Sequence, residues 1–220
     1  MRVAILGAGG HTGPRLALEA LKRGHTVIAI ARTPANIKLP GLGDDDPRVE
    51  RRQGDAFSRD DVITALAGAD AVITTVGKRN LRDERYWLNT AAHRHVLDGM
   101  RRHGIKRLVA ISSFGAALDF TRPGLRRKVY LYLRRKYYGD MQEMERMVTA
   151  PDTGIAAVAV RAPMLYNTPP RGVFEIQKDG NIPGGRSLSR DDLAAFCLDQ
   201  VENDDYVGHV VSVAYERAAA

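Results

Sequence analysis

Cysteine is all but missing. Cys197 is the only one in 220 residues, so no intrachain disulfide can form and a reducing cytoplasm is the expected setting. It falls within the apolar stretch 193–201 and reads as core packing rather than as a nucleophile. No run approaches the roughly 18 uninterrupted apolar residues of a bilayer span. The chain opens directly on a strand-like run with no signal-peptide pattern, so no membrane partner is expected. Internal repeats and low-complexity segments are lacking too, and no metal-ligand set stands out. What remains is a chain with 44% apolar residues, enough for one substantial core, and a single domain over 1–220 is expected.

Acid is in deficit. The formal net charge is +7, and much of it comes from Arg122, Arg126, Arg127, Lys128, Arg134, Arg135 and Lys136, interleaved with Tyr130, Tyr132, Tyr137 and Tyr138. Such a stretch reads as a solvated helix face with snorkelling stems, as the mouth of a site for an anionic small molecule, or as a platform for single-stranded nucleic acid. No nucleic-acid motif accompanies it. The solvated face is the simplest reading, and no nucleic-acid partner is expected.

The most informative segment that is present is the first, MRVAILGAGGHTG. A buried-type strand from Val3 to Leu6 runs into a glycine turn, which opens an amphipathic helix over 15–23. Strand, glycine turn and helix start form a dinucleotide pyrophosphate site. Gly7 permits the sharp turn, Gly9 and Gly10 let backbone approach phosphate, and Gly13 lets the helix pack on the strand. His11 and Thr12 complete the turn. The pyrophosphate would rest on backbone N–H groups at the positive end of the helix.

The second apolar run, Thr26 to Ala31, reads as the next strand. Its end is where an Asp or Glu would accept from the ribose of NAD. Here it carries Arg32, with Lys38 beyond and no carboxylate before Asp44. A guanidinium there suits a 2′-phosphate, which points to NADPH/NADP.

The rest repeats the rhythm: strand 49–53; helix 58–67 with Ser58 as N-cap; strand 69–75; helix 84–103 closed by Gly104; strand 107–112; helix 138–149; strand 154–161. The loops 33–47 and 162–171 read as irregular. This alternation predicts an α/β, Rossmann-like doubly wound domain with a mainly parallel sheet and helices on both faces. A small substrate-side region is expected from 114–137 and 163–190. Ligands lie over the carboxyl ends of such strands. That adds Asp55 and Ala56, with the Asp55 carboxylate beside adenine or capping the next turn. It also adds Val76, Gly77 and Arg79, then Ser112, Ser113 and Phe114, and finally Pro163, Met164 and Tyr166.

These strand ends carry a family likeness. The segments GAGGHTG, GDAF, AVITTVGKRN, LVAISSFGA, GDMQEMERMV, VAVRAP and the tail SRDDLAAFCLDQVENDDYVGHVVSV resemble the biliverdin-IXβ reductase/flavin reductase group. That group belongs to the atypical short-chain dehydrogenase/reductases of the NAD(P)H-binding, NmrA-like superfamily. The resemblance implies an NADPH-dependent oxidoreductase that hands a hydride to a flavin or a linear tetrapyrrole. By position, Gly7, Gly10 and Gly13 would hold the pyrophosphate, Arg32 and Lys38 the 2′-phosphate, and Asp55 the adenine. Gly77 and Arg79 would flank ribose and phosphates, and Ser113 would lie near the nicotinamide. One position departs: Met164 stands where that family has a histidine facing the substrate, and a thioether has no proton to give.

Tyr132 and Lys136 also match the Tyr-x-x-x-Lys of ordinary short-chain dehydrogenases, in which the tyrosine is the general acid. The wide separation of Ser113 from Tyr132, interrupted by Pro123-Gly124, does not fit that arrangement. The expected pocket comprises Ser113, Phe114, Arg79, Trp87, Met164 and Tyr166, although Trp87 and Phe114 are also readable as core. It would take a planar or anionic small molecule. A pathway-specific ketoreductase, epimerase or dehydratase and a non-catalytic NADP sensor are the alternatives, because one scaffold serves many chemistries. A monomer or weak homodimer is expected.

Overall fold

The computed structural model describes residues 1–77, 87–117 and 124–216, apart from the side chains at 126 and 127. The elements are β1 (Arg2–Leu6), α1 (Gly13–Lys22), β2 (Thr26–Ala31), β3 (Val49–Gln53), α2 (Arg59–Ala65), β4 (Ala71–Thr74) and α3 (Leu88–His103). They continue with β5 (Arg107–Ser113), α4 (Leu125–Val148), β6 (Ala156–Ala162), β7 (Met164–Tyr166), β8 (Glu175–Lys178), β9 (Ser187–Ser189), α5 (Arg190–Glu202) and β10 (Val210–Ala214). Eight strands form one sheet in the order β3-β2-β1-β4-β5-β6-β10-β8. All neighbours run parallel except the edge strand β8, which is antiparallel to β10. The expected α/β Rossmann-like domain is what the chain adopts.

Side chains alternate across the sheet, as the period of two requires. Val3 and Ile5 join Leu16, Ala20, Leu193 and Phe196 on the α1/α5 face. Ala4 and Leu6 join Val62, Val96, Met100 and Met144 on the α2/α3/α4 face. Because both faces are covered, the central strands β1, β2, β4 and β6 are almost wholly apolar, whereas the edge strands β3 and β8 carry Glu50, Arg51, Arg52, Glu175 and Lys178. Cys197 is fully buried in α5 with its thiol pKa pushed up by burial. Ser58 caps α2 by accepting from Asp61 N, and Gly104 ends α3 in the left-handed region at φ 69°.

Four readings need correction. The helix expected over 138–149 is a continuous 24-residue helix from Leu125. Its buried stripe starts with Leu131 and passes through Tyr138, Met141, Met144 and Val148, so the tyrosine–arginine run disguised half of an amphipathic helix. The loop 162–171 contains β7, which pairs parallel with β9, Leu165 opposite Leu188. Three-residue strands are too short to show a period, so sequence could not reveal them. The loop 33–47 holds a single 3-10 turn, Pro34–Asn36, after which Ile37 and Leu39 are buried. The first helix begins at Gly13, with Pro14 in its first turn, rather than at Arg15. Arg79 and the start of the helix read from residue 84 lie outside the described residues.

Candidate active site: the crevice over β1 to β4

The strand order reverses between β1 and β4, and a crevice of about 540 Å³ opens over the carboxyl ends of β1, β2, β3 and β4. The turn after β1 forms its floor. Gly7 sits at φ 102° with its N–H and that of Ala8 both donating to Ile30 O (3.0 Å), which ties the turn to β2. A Cβ on Gly7 would lie 2.9 Å from Thr75 O, and one on Gly13 would lie 2.5 Å from Ala8 Cα. Both positions therefore demand glycine, the first for the turn and the second for close packing of α1 on it. Gly10 N donates to Gly7 O (3.0 Å), so this N–H braces the turn instead of facing outward. Thr12 occupies the N-cap of α1 without a side-chain bond, and no acidic residue stands in the first turn. The positive end of α1 is thus left for an external anion. His11 is exposed beside it.

Of the positions expected to meet a cofactor, Gly7, Gly9, Gly10, Arg32, Asp55, Ala56, Val76 and Gly77 line this crevice. Arg32 extends from the end of β2, exposed, and among the described residues it has no ion-pair partner. Lys38 is exposed and, among the described residues, likewise unpaired, but it is not part of the crevice wall. Asp55 lines the crevice, and its Oδ1 accepts from Phe57 N (3.1 Å), which is the turn-capping alternative foreseen for it. Thr33, Asn36, Phe57, Thr75 and Leu88 also line the wall and were not anticipated. Their polarity and spacing carry no signal; only their places beside the strand ends do.

The substrate-side residues are grouped differently. Ser113 ends β5 half-buried, its Oγ accepting from Gly115 N (3.3 Å). Phe114 begins the turn that follows, its carbonyl accepting from Asn181 Nδ2 (3.0 Å). Ser112, expected at the cofactor, points its hydroxyl the other way and donates to Glu145 Oε1 (2.6 Å). Glu145 in turn takes Arg161 Nε (2.9 Å) and Nη2 (2.6 Å), a buried ion pair beneath the tips of β5 and β6 that the sequence did not suggest. Pro163 is half-buried past β6, and Met164 and Tyr166 are exposed on β7, the Tyr166 hydroxyl donating to Met164 Sδ (2.8 Å).

Trp87 is 57% exposed, edge-on to Phe57 at 6.0 Å, so it is not a core residue. It borders a second, shallow cleft with Thr90, Arg94, Asp140 and Glu143. The Asp140 carboxylate caps α3 from α4, accepting from Asn89 N (2.7 Å) and Thr90 N (3.0 Å). This cap supplies what Trp87, at the N-cap position, does not.

Tyr132 and Lys136 are not brought to the crevice wall. Tyr132 is 58% exposed, with the Arg135 guanidinium 4.0 Å from its ring centroid. The tyrosine of α4 that reaches the turn after Ser113 is Tyr138, whose ring occupies the space a Cβ on Gly115 would need. Its hydroxyl bonds to Tyr130 (2.9 Å), and burial together with that bond pushes its pKa up, away from neutral proton exchange.

Could this crevice hold a dinucleotide? The glycine-only turn, the helix start without a side-chain cap and the Arg32 guanidinium, unpaired among the described residues, have the chemistry such a ligand needs. A family model described as NAD(P)H-binding matches residues 7–204. The chain belongs to the NAD(P)H-binding family. Similar proteins include the sterol demethylase protein B of Methylococcus capsulatus, 34% identical over 53% of this chain and 35% of that protein. The divinyl chlorophyllide a 8-vinyl-reductase of Arabidopsis thaliana is 25% identical over 97% of this chain and 53% of its own. The chain therefore spans about a third and about half of these relatives' lengths. Among solved structures, a short-chain dehydrogenase/reductase of Veillonella parvula in complex with NADP superposes with a TM-score of 0.78. It is 16% identical, and the match covers 97% of this chain and 94% of that one. The family match makes NAD(P)H the cofactor of the chain. Among the described residues of this family member, no helix is long and apolar enough to cross a membrane.

Proposed function

We propose that the protein is an NADPH-dependent reductase that passes a hydride to a planar acceptor, with an oxidised flavin first and a linear tetrapyrrole or quinone next. The observation that carries the reading is Arg32: a guanidinium just past the end of β2, unpaired among the described residues, where a carboxylate would select NAD. Its planar fork pairs with a phosphate dianion, and Lys38 adds a second positive charge. The likeness to a vinyl reductase acting on a chlorophyllide supports a flat, conjugated acceptor.

When bound, NADPH supplies the hydride. The chain's own work is placement. The Gly7–Gly13 turn and the start of α1 anchor the phosphates, Arg32 fixes the adenosine end, and Asp55 faces the same crevice. Ser113 Oγ receives an N–H from Gly115, which leaves its own hydrogen to be given to an acceptor atom beyond the tip of β5. A reduced flavin needs only a proton from solvent or from such a hydroxyl, so positioning is the principal contribution. Met164 offers no proton, and Tyr132 faces outward under Arg135. The substrate side is proposed to be built from the 114–137 and 163–190 segments.

The test pairs NADPH and NADH titrations with turnover on FMN, FAD, riboflavin, quinones and biliverdin. Losing one charge-assisted contact worth about 1.5–3 kcal/mol, Arg32→Ala should weaken NADPH binding by about tenfold to a hundredfold and leave NADH binding unchanged. Ser113→Ala should lower turnover without altering NADPH affinity. Equal affinity for both coenzymes, NADPH binding without consumption on any acceptor, or abolition of turnover by Tyr132→Phe would each overturn the reading.

A further inference from the structure

The first half of α4 has two unlike faces. Inward, Leu131, Tyr138 and Met141 pack on Ala116 in the turn that follows Ser113. Outward, Leu125, Val129, Tyr132 and Leu133 recur at helical spacing on the opposite side, and all are exposed, Leu125 by 78% and Leu133 by 72%. Large apolar side chains are seldom left in water as a contiguous stripe. The charge around the stripe is of one sign. From residue 120 to residue 139 the chain has seven Arg or Lys and no Asp or Glu. Lys128 and Arg135 are exposed beside the stripe, and Arg135 extends over the Tyr132 ring.

We propose that this face of α4 docks on an anionic phospholipid surface. Leu125, Val129, Tyr132 and Leu133 would enter the boundary between headgroups and acyl chains, while Lys128 and Arg135 meet the phosphates. Charge complementarity selects the occupant. A second copy of the chain would set this basic stretch against another that has no carboxylate between residues 120 and 139 to answer it. Nucleic acid would satisfy the cations but leave Leu125, Val129 and Leu133 with nothing apolar to cover them. A bilayer surface satisfies both the stripe and its flanks. The absence of a spanning segment does not bear on this, since a helix lying in the interface needs one apolar face only. The proposal does not depend on the coenzyme or acceptor assigned to the crevice.

The experiment is co-sedimentation of the full chain with vesicles of phosphatidylcholine, with and without phosphatidylglycerol. Binding is expected only to the anionic vesicles and should weaken as salt is raised. Lys128→Gln with Arg135→Gln should reduce it by about thirtyfold, and Leu125→Ser with Leu133→Ser by about a hundredfold. NADPH binding serves as the check that each variant is folded. In a Leu133→Trp chain, the emission should shift to the blue on anionic vesicles. Three results would overturn the proposal: equal binding to neutral and anionic vesicles, vesicle binding that ignores the leucine substitutions, or a dimer or oligonucleotide complex that occupies the face instead.

Discussion

Substituting Glu145 tests the packing beneath the substrate side. Its carboxylate is almost wholly buried (1% exposed) and Arg161 nearly so (11%). Arg161 and Ser112 are register partners on β6 and β5, so one carboxylate ties both strand tips to α4. Glu145→Gln keeps the volume but turns an amide N–H toward Arg161 Nη2 at a 2.6 Å site, leaving a buried cation without its counter-charge. Breaking such a pair costs about 3–5 kcal/mol, whereas an exposed pair is worth about 0–1 kcal/mol. Urea unfolding of Glu145→Gln should show the larger loss. The combination Ser112→Ala, Glu145→Met and Arg161→Met removes all three polar partners together and should recover most of it, because buried ion pairs are often replaceable by apolar side chains. A loss below about 1 kcal/mol for Glu145→Gln, or a triple variant worse than the sum of its parts, would refute the argument.

Two further outcomes follow from buried groups. His93 is fully buried: its Nδ1 hydrogen goes to Asn89 O (2.8 Å) and its Nε2 accepts from the Thr74 hydroxyl (2.7 Å), while burial lowers its pKa to about 4. The unfolded imidazole binds a proton near pH 6.5, so the unfolded state holds more protons between these values. The His93 contribution is then complete above about pH 6.5 and is lost as pH falls toward 4, about 3 kcal/mol in all. Urea midpoints across that window should fall in the native chain and fall less in His93→Gln; parallel slopes would refute it. Gly115→Ala would put a Cβ 2.1 Å from the Tyr138 ring and should cost about 1–3 kcal/mol by overpacking. The same substitution in a Tyr138→Ala chain should cost far less, as thermal unfolding of the four chains would reveal.

Local sequence alone determined much of this protein. An apolar run, a turn in which Gly7 and Gly13 demand glycine, and a helix start follow one another within thirteen residues, so the open N-terminal end of α1 is a property of neighbours in the chain. The strand rhythm likewise fixed the parallel sheet, because strands buried on both faces must be apolar throughout. Arg32 was legible for the same reason: it directly follows a strand. Tertiary structure decided what depends on distant partners. Only packing on Ala116 shows that the tyrosine–arginine run is a helix with a buried side, and that Tyr138 rather than Tyr132 reaches the turn after Ser113. Only the register of β5 against β6 and the packing of α4 bring Ser112 and Arg161 onto the one carboxylate of Glu145. Periodicity reports which face of an element avoids water; it carries no record of what that face will meet.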